Sequence, residues 1–508
     1  MVHPTIPKMT TAPNVTLRRL HRKIPAVAAI FALLTLTMAQ WAVAAGFKPD
    51  EVLVKLRTPA ALGPIVSSLG VVQTIQFGSR PIYRLKLPAN SNVDTVVNQL
   101  IGNSDVLLAE PNYTHDTPEA RRNLPWAVGT PGAYVAQWAP AAMHLPEAHL
   151  FTRGAGVRVA VLDTGVDLSH PALAGKLLPG YDFVDGDADP SEVACLPATC
   201  PVVGLGYGHG THVAGLIALA APLAKIIPYR VLDPNGEGNA WVLAEALQRA
   251  IDPDGNPATD DGAQVINMSL GTATRTRILT SIAKLFTCEP PDETDPLLNF
   301  SDAGYDNDKA RCASSTAPVI VAAAGNDGSS SVKEYPAAES VYGLISVGAS
   351  NDSKHLATFS NSGSWVQIAA PGEGITSAIP TAASHSGYGT WSGTSMAAPL
   401  VAGAIALLRS AQPELVARDV VRRVTRMTTP LIGTNIEQVN AAAIVEVCKM
   451  DIDGDGAVLS TTDGLILMRA MMGMKDAAVS SAASPTAVRN NWTDIRRYLV
   501  DVCGMALP

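Results

Sequence analysis

The sequence predicts an α/β protein. A three-layer domain with a mostly parallel central sheet is preceded by a small α+β unit and followed by a small α-helical, disulfide-linked module. Three observations carry this expectation. Between 138 and 445, apolar runs of strand length alternate with stretches of helical spacing. Between 46 and 116, short alternating stretches flank one helical pattern. Beyond 446, two cysteines bracket a short segment with its own acidic loop.

Taken in chain order, RRLHRK at 18–23 is basic, and IPAVAAIFALLTLTMAQWAVAA at 24–45 carries no charge. Ala42, Val43 and Ala44 fit a small-x-small cleavage pattern, so 1–45 reads as a bacterial-type signal peptide and the protein as secreted, extracellular or periplasmic. A retained anchor is the alternative, since the run is long enough to span a bilayer. Translation from Met9 would shorten the leader. In 46–116, EVLVKLR (51–57), IYRLKLP (82–88) and VLLAEPNY (106–113) alternate as strands do. NVDTVVNQLIGN (92–103) places Val93, Val96, Val97, Leu100 and Ile101 at helical spacing. A polar, proline-bearing stretch that includes HDTPEARRNLP (115–125), with the linker placed at 117–137, reads as exposed and open to proteolysis. In 138–445, VRVAVLD (157–163), KIIPYRVLD (225–233), AQVINMSL (263–270) and PVIVAAAGN (318–326) suit parallel strands buried on both faces, with NAWVLAEALQRAI (239–251) as an intervening helix.

Composition narrows the function. The chain has 508 residues, 47% hydrophobic and 16% charged, with net charge −8. That suits two or three folded units with large cores, and no basic face invites nucleic acid. The six cysteines fall as Cys195 and Cys200, Cys288 and Cys312, Cys448 and Cys503. Sequential pairing is the simplest pattern, other connectivities and free thiols remain open, and no CxxC suggests zinc.

Four motifs carry chemistry. VAVLDTGVD ends a buried strand on Asp163, where α/β sheets collect functional groups. An aspartic protease would need a second such motif to share a proton, and none follows. GHGTHVAGLIALA (208–220) sets His209 at a helix start, with His212 beyond it; a metal site would need a further ligand that is not evident. GTSMAAPLVAGAIALL (393–408) places Ser395 among small residues at a helix N-terminus, where free N–H groups can hold an oxyanion or the serine can simply cap the helix. VAAAGNDG (321–328) ends a strand on Asn326, either a turn residue or an amide donor to an oxyanion.

In the order Asp, His, Asn, Ser within one α/β domain, these motifs resemble the subtilisin-like serine proteases (subtilases), over about 300 residues. The resemblance implies a subtilisin-like catalytic domain at 138–445, with Asp163 orienting His209, His209 as general base, Ser395 as nucleophile and Asn326 as oxyanion donor. His212 is then structural. It further implies that Ser269, Leu270 and Gly271 of NMSLG pair with an extended protein or peptide substrate, and that Gly236 of NGEG lies on the opposing wall. The unit 46–116 becomes an inhibitory propeptide, the chain's own intramolecular partner, released by a cut near EARRN (119–123). Asp327 and Glu334 fall near the primary pocket, where two carboxylates would favour a basic side chain.

Calcium is the only cofactor expected, in a structural role, with no organic cofactor. The family's first calcium site is disfavoured, since Ala172 replaces its aspartate and the loop AAPLAK is short. YDFVDGDADPS offers Asp182, Asp185, Asp187 and Asp189 as hard oxygen ligands. In the C-terminal module, 446–508, DIDGDGAVLSTTDG resembles a single dockerin or EF-hand-like repeat. Asp451, Asp453 and Asp455 take its first ligand positions, and Asp463 stands one residue beyond the expected twelfth position, Thr462. Only one repeat is visible, which disfavours a cohesin-like partner. GLILMRAMMGM and WTDIRRYLVDV supply two helices. The reading from another class is an inactive subtilase scaffold that binds through this module; the intact motifs argue against it.

Overall fold

The computed structural model describes residues 46–121, 126–194, 206–256, 259–290, 305–314, 317–503 and 505–508. The expected signal peptide 1–45 and the expected Cys195–Cys200 pair lie outside them. The central sheet runs Thr428–Thr429, Gln438–Val439, Ile368–Pro371, Leu344–Ser350, Val319–Ala323, Val265–Met268, Arg158–Asp163, Lys225–Arg230, Tyr181–Asp182. Every neighbouring pair is parallel except the first. Successive side chains leave opposite faces of a strand. Val159 and Val161 therefore enter one apolar cluster, with the helices His209–Ala220 and Thr394–Ala411. Ala160 and Leu162 enter the other, with Ala240–Ile251 and Arg277–Phe286. Burial on both faces is why these strands read as continuous apolar runs. Thr394–Ala411 is long and apolar enough to cross a membrane, but it is the buried core helix.

The N-terminal unit is an antiparallel sheet in the order Gln73–Gln76, Ile82–Lys86, Phe47–Leu56, Val106–Asp116. Helices Leu62–Leu69 and Val93–Ile101 close one face over Val52, Val54, Leu85 and Ala109. The opposite face sends Leu53, Phe77, Ile82 and Leu108 into the cluster that holds Trp241 and Phe286. Polar contacts fix this docking. Glu110 accepts from the N–H groups of Arg277 (2.9 Å) and Ile278 (3.0 Å), and Asn112 accepts from Trp241 N–H (3.1 Å). Both side chains satisfy donors that a helix N-terminus leaves free. Arg80 and Asp308 add a buried ion pair at 2.7 Å.

Two expectations need correction. The segment 115–119 is not an exposed linker: His115, Thr117 and Glu119 are buried. Its main chain pairs with the strand Glu237–Asn239 of the three-layer domain as an added strand, so its polar groups face protein. The C-terminal segment is not a separate body either. Ile452, Ile466, Ile495, Tyr498 and Leu499 join the same apolar cluster as the core helix Thr394–Ala411. Cys448–Cys503 and Cys288–Cys312 are bonded as the sequential pattern expects. Helices Asp463–Met471 and Trp492–Arg497 form as expected, the latter continuing into a wider turn at Tyr498–Val502.

Candidate active site

Asp163 ends its strand, and its Oδ1 accepts from Thr164 N–H (2.8 Å) and lies 2.7 Å from His209 Nδ1. His209 opens its helix, fully buried, with its ring edge against Trp391. Glu192 braces this corner. It accepts from the N–H groups of Thr211 (3.0 Å) and Gly208 (3.1 Å), a favourable place for a carboxylate at a helix start. No local pattern marks it, because its partners are main-chain N–H groups and the hydroxyls of Thr164 and Thr211, distant in sequence. Burial pushes its carboxyl up to about 7, against those hydrogen bonds.

Ser395 stands in the first turn of Thr394–Ala411, its carbonyl held by Ser269 Oγ (2.9 Å). Asn326 Oδ1 accepts from both the N–H (2.9 Å) and the hydroxyl (3.0 Å) of Thr394. This pins the amide so that Nδ2 faces the cleft. His212 lies one turn along its helix, its Nε2 3.2 Å from the carbonyls of Ile375 and Gly389. Burial brings its pKa down to about 3, which keeps it neutral and structural.

One carboxylate fills the space between these groups. Glu119, on the short helix Pro118–Arg121, places Oε2 2.7 Å from Ser395 Oγ and 3.2 Å from His209 Nε2. Its Oε1 accepts from Asn326 Nδ2 at 2.8 Å. Burial pushes the Glu119 carboxyl up, but the bonds from His209, Ser395 and Asn326, together with the His209 charge, outweigh it and hold the group below its usual range. Burial alone would lower His209, yet Asp163 and Glu119 on either side raise it to about 10. In this state the imidazole is a cation between two carboxylates, so it has no free nitrogen to accept a proton. Sequence reading noticed EARRN only as a cleavage region; nothing local marks Glu119 as the inserted group.

The chain leading to Glu119 lies in a groove. Thr114, His115 and Asp116 pair antiparallel with Asn239, Gly238 and Glu237. Asp116 exchanges two main-chain hydrogen bonds with Gly271 (3.0 and 2.9 Å), and Thr117 N–H donates to Gly236 (3.1 Å). Gly236 and Gly271 thus flank this segment on its two sides. Ser269 instead buttresses Ser395, and the Leu270 side chain is buried in the core. Glu334 is fully buried and ion-paired with Arg121, whereas Asp327 is exposed.

The acidic loops differ. Asp182 and Asp185 both turn onto Arg230 (2.5 Å each), while Asp187 and Asp189 accept from their own loop's N–H groups. The four do not gather around one point, because Arg230 supplies the positive charge. Asp451, Asp453 and Asp463 do gather, each with an oxygen within 4.8 Å of the others. Asp455 stays outside that group and accepts from Ala457 N–H.

Comparison with known proteins agrees with this geometry. The subtilase family model matches residues 154–457, and the fervidolysin N-terminal prodomain model matches 39–112. A thermophilic serine proteinase from Bacillus sp. (strain AK1) is 37% identical over 330 residues, covering 63% of this chain and 67% of that protein. Thermitase from Thermoactinomyces vulgaris is 35% identical over 284 residues, covering 54% and 82%. The crystal structure of fervidolysin from Fervidobacterium pennivorans superposes with a TM-score of 0.58 at 22% identity. That alignment covers 78% of this chain but only 61% of fervidolysin, and it speaks for the fold alone. The chain belongs to the subtilase family of serine endopeptidases and carries a fervidolysin-like N-terminal prodomain.

Proposed function

We propose that the protein is an exported serine endopeptidase, made as a zymogen, with Ser395 as nucleophile, His209 as general base, Asp163 as its orienting acid and Asn326 as oxyanion donor. The observation that carries this reading is the convergence of Ser395 Oγ, His209 Nε2 and Asn326 Nδ2 on the Glu119 carboxylate. Groups that meet on a carboxylate can meet on the oxygen-rich centre of a peptide under attack.

Once the prodomain and Glu119 withdraw, an extended substrate takes the place of 114–117 between Gly236–Asn239 and Gly271. His209, now neutral, removes the Ser395 proton as Oγ adds to the carbonyl carbon. Asn326 Nδ2 and the Ser395 N–H hold the resulting oxyanion. His209 returns the proton to the leaving amine as the C–N bond breaks. Water, deprotonated by His209, then hydrolyses the acyl-enzyme and restores Ser395. Asp163 keeps the imidazole oriented and stabilises its cationic form.

The export signal rests on the sequence of 1–45, and the prodomain 46–116 serves as intramolecular inhibitor. A structural calcium ion in the C-terminal loop is part of the proposal. It is supported by the three gathered carboxylates, with Asp463 replacing the ligand missing at Thr462. Asp182 and its neighbours are the weaker calcium candidate, since Arg230 already compensates them. The test is labelling of self-matured protein with a serine-directed fluorophosphonate. A label that disappears in Ser395→Ala is expected; no label on matured protein overturns the assignment.

A further inference from the structure

The cleft contains a buried charge that peptide-bond chemistry does not use. Gly271, which pairs with Asp116 of the docked strand, and Gly325, just before Asn326, both lie against the Glu334 side chain. A Cβ added at Gly271 would overlap the Glu334 carboxylate, and one at Gly325 would lie 3.2 Å from it. Glu334 therefore stands between the two glycines, at the closed end of a slot that has no side-chain walls there. It is 0% exposed. Its Oε1 is held by the Arg121 guanidinium, and its Oε2 has no hydrogen-bond partner among the described residues. Arg121 also reaches Asp116 through Nε at 2.5 Å, and Asp327 adds to the negative field that it feels.

The docked cation is borrowed. Arg121 and Asp116 belong to the segment that must leave the groove before any substrate enters. Its departure leaves a desolvated carboxylate facing the slot without its cation, a costly arrangement until a proton or another positive group arrives; burial already pushes this carboxyl up to about 7 with Arg121 in place. A guanidinium fits better than an ammonium, because its planar fork can engage both carboxylate oxygens, including the one Arg121 leaves unused. We propose that Glu334 is the specificity-determining residue of this protease and selects arginine immediately before the scissile bond, with Asp327 reinforcing it from the rim. Arg121 then acts as a built-in occupant of the site its substrates use. The inference rests on Ser395 as nucleophile, since that reading makes the slot adjacent to the reacting carbonyl.

The test uses self-matured enzyme and internally quenched peptides that differ only in arginine, lysine, leucine or phenylalanine at that residue, with the cut bond read by mass. The arginine peptide should exceed phenylalanine in kcat/KM by about 100-fold and lysine by about 10-fold. Glu334→Gln should reduce the arginine-to-phenylalanine ratio by about 50-fold while the phenylalanine peptide is still cut, which shows that the variant folds. Asp327→Asn should reduce the ratio by less. Faster cutting of the leucine or phenylalanine peptide by the wild type overturns the proposal without need of any variant. So does a ratio that survives Glu334→Gln. A protein that neither cuts any peptide nor takes the fluorophosphonate label overturns the Ser395 reading, and this inference with it.

Discussion

Replacing Glu119 isolates the strength of the self-inhibited state. Three donors meet its carboxylate: Ser395 Oγ at 2.7 Å, Asn326 Nδ2 at 2.8 Å and His209 Nε2 at 3.2 Å. Charge-assisted bonds contribute about 1.5–3 kcal/mol each, or about 6 kcal/mol for the set. Desolvating a carboxylate costs several kcal/mol against this, and water enters the vacated space in a Glu119→Ala variant. The net loss is about 3 kcal/mol, about a hundredfold in the population of the open cleft. The assay is the rate of fluorophosphonate labelling of the full-length precursor, read on gels before processing. Glu119→Ala should label about a hundredfold faster than wild type, and Glu119→Gln, which keeps the volume but not the charge, should fall between them. Labelling of Glu119→Ala within threefold of wild type would refute the argument, because the prodomain strand would then block the cleft without the carboxylate.

His115 makes the same docking pH-sensitive. Burial, with Arg121 nearby, brings its pKa down to about 3, and both ring nitrogens lack partners among the described residues. The docked form thus stays neutral while a released strand takes up a proton below about 6.5. Docking weakens as pH falls through that range, by about 1.4 kcal/mol at pH 5.5. Measured relative to matured enzyme at the same pH, which cancels the protonation of His209 in the open cleft, precursor labelling should accelerate accordingly and lose that acid response in His115→Leu. At the other end, His209 contributes fully to the docked state below its ordinary range and loses the contribution as pH rises through about 10, so labelling should rise again there. On the calcium proposal, added calcium should raise the thermal midpoint of the full chain, and Asp463→Ala should abolish that rise. Cys448→Ser with Cys503→Ser releases a 55-residue closure and should cost about 4 kcal/mol on the chain-entropy estimate. Calorimetry should show the catalytic domain itself destabilised, since the two share one core.

The parallel strands, the prodomain elements and the four motifs that converge in the cleft were legible because each rests on a local pattern. Asp163, His209, Asn326 and Ser395 sit at strand ends or helix starts, and such positions announce themselves in sequence. Glu119, Glu192 and Glu110 do not, because their meaning comes from partners 16 to 276 residues away. Asp182 was misleading for the same reason: a ligand-like spacing hid its pairing with Arg230, 48 residues on. The exposed linker failed because polar residues were read as solvent-facing when their main chain had found a strand partner. The C-terminal module looked independent because its disulfide is visible in sequence and its packing is not.

The three-residue strand Glu237–Asn239 has a further consequence. In the zymogen it completes a sheet whose other strands all belong to the prodomain. Removal of the prodomain would strip that neighbour away and leave a bare backbone edge lining the groove. A strand already paired within a folded protein cannot offer its own backbone to that edge, whatever its side chains. The mature protease should therefore distinguish proteins first by whether they have come loose. On that reading, frayed termini, open loops and unfolded chains should be degraded and intact folded proteins left alone.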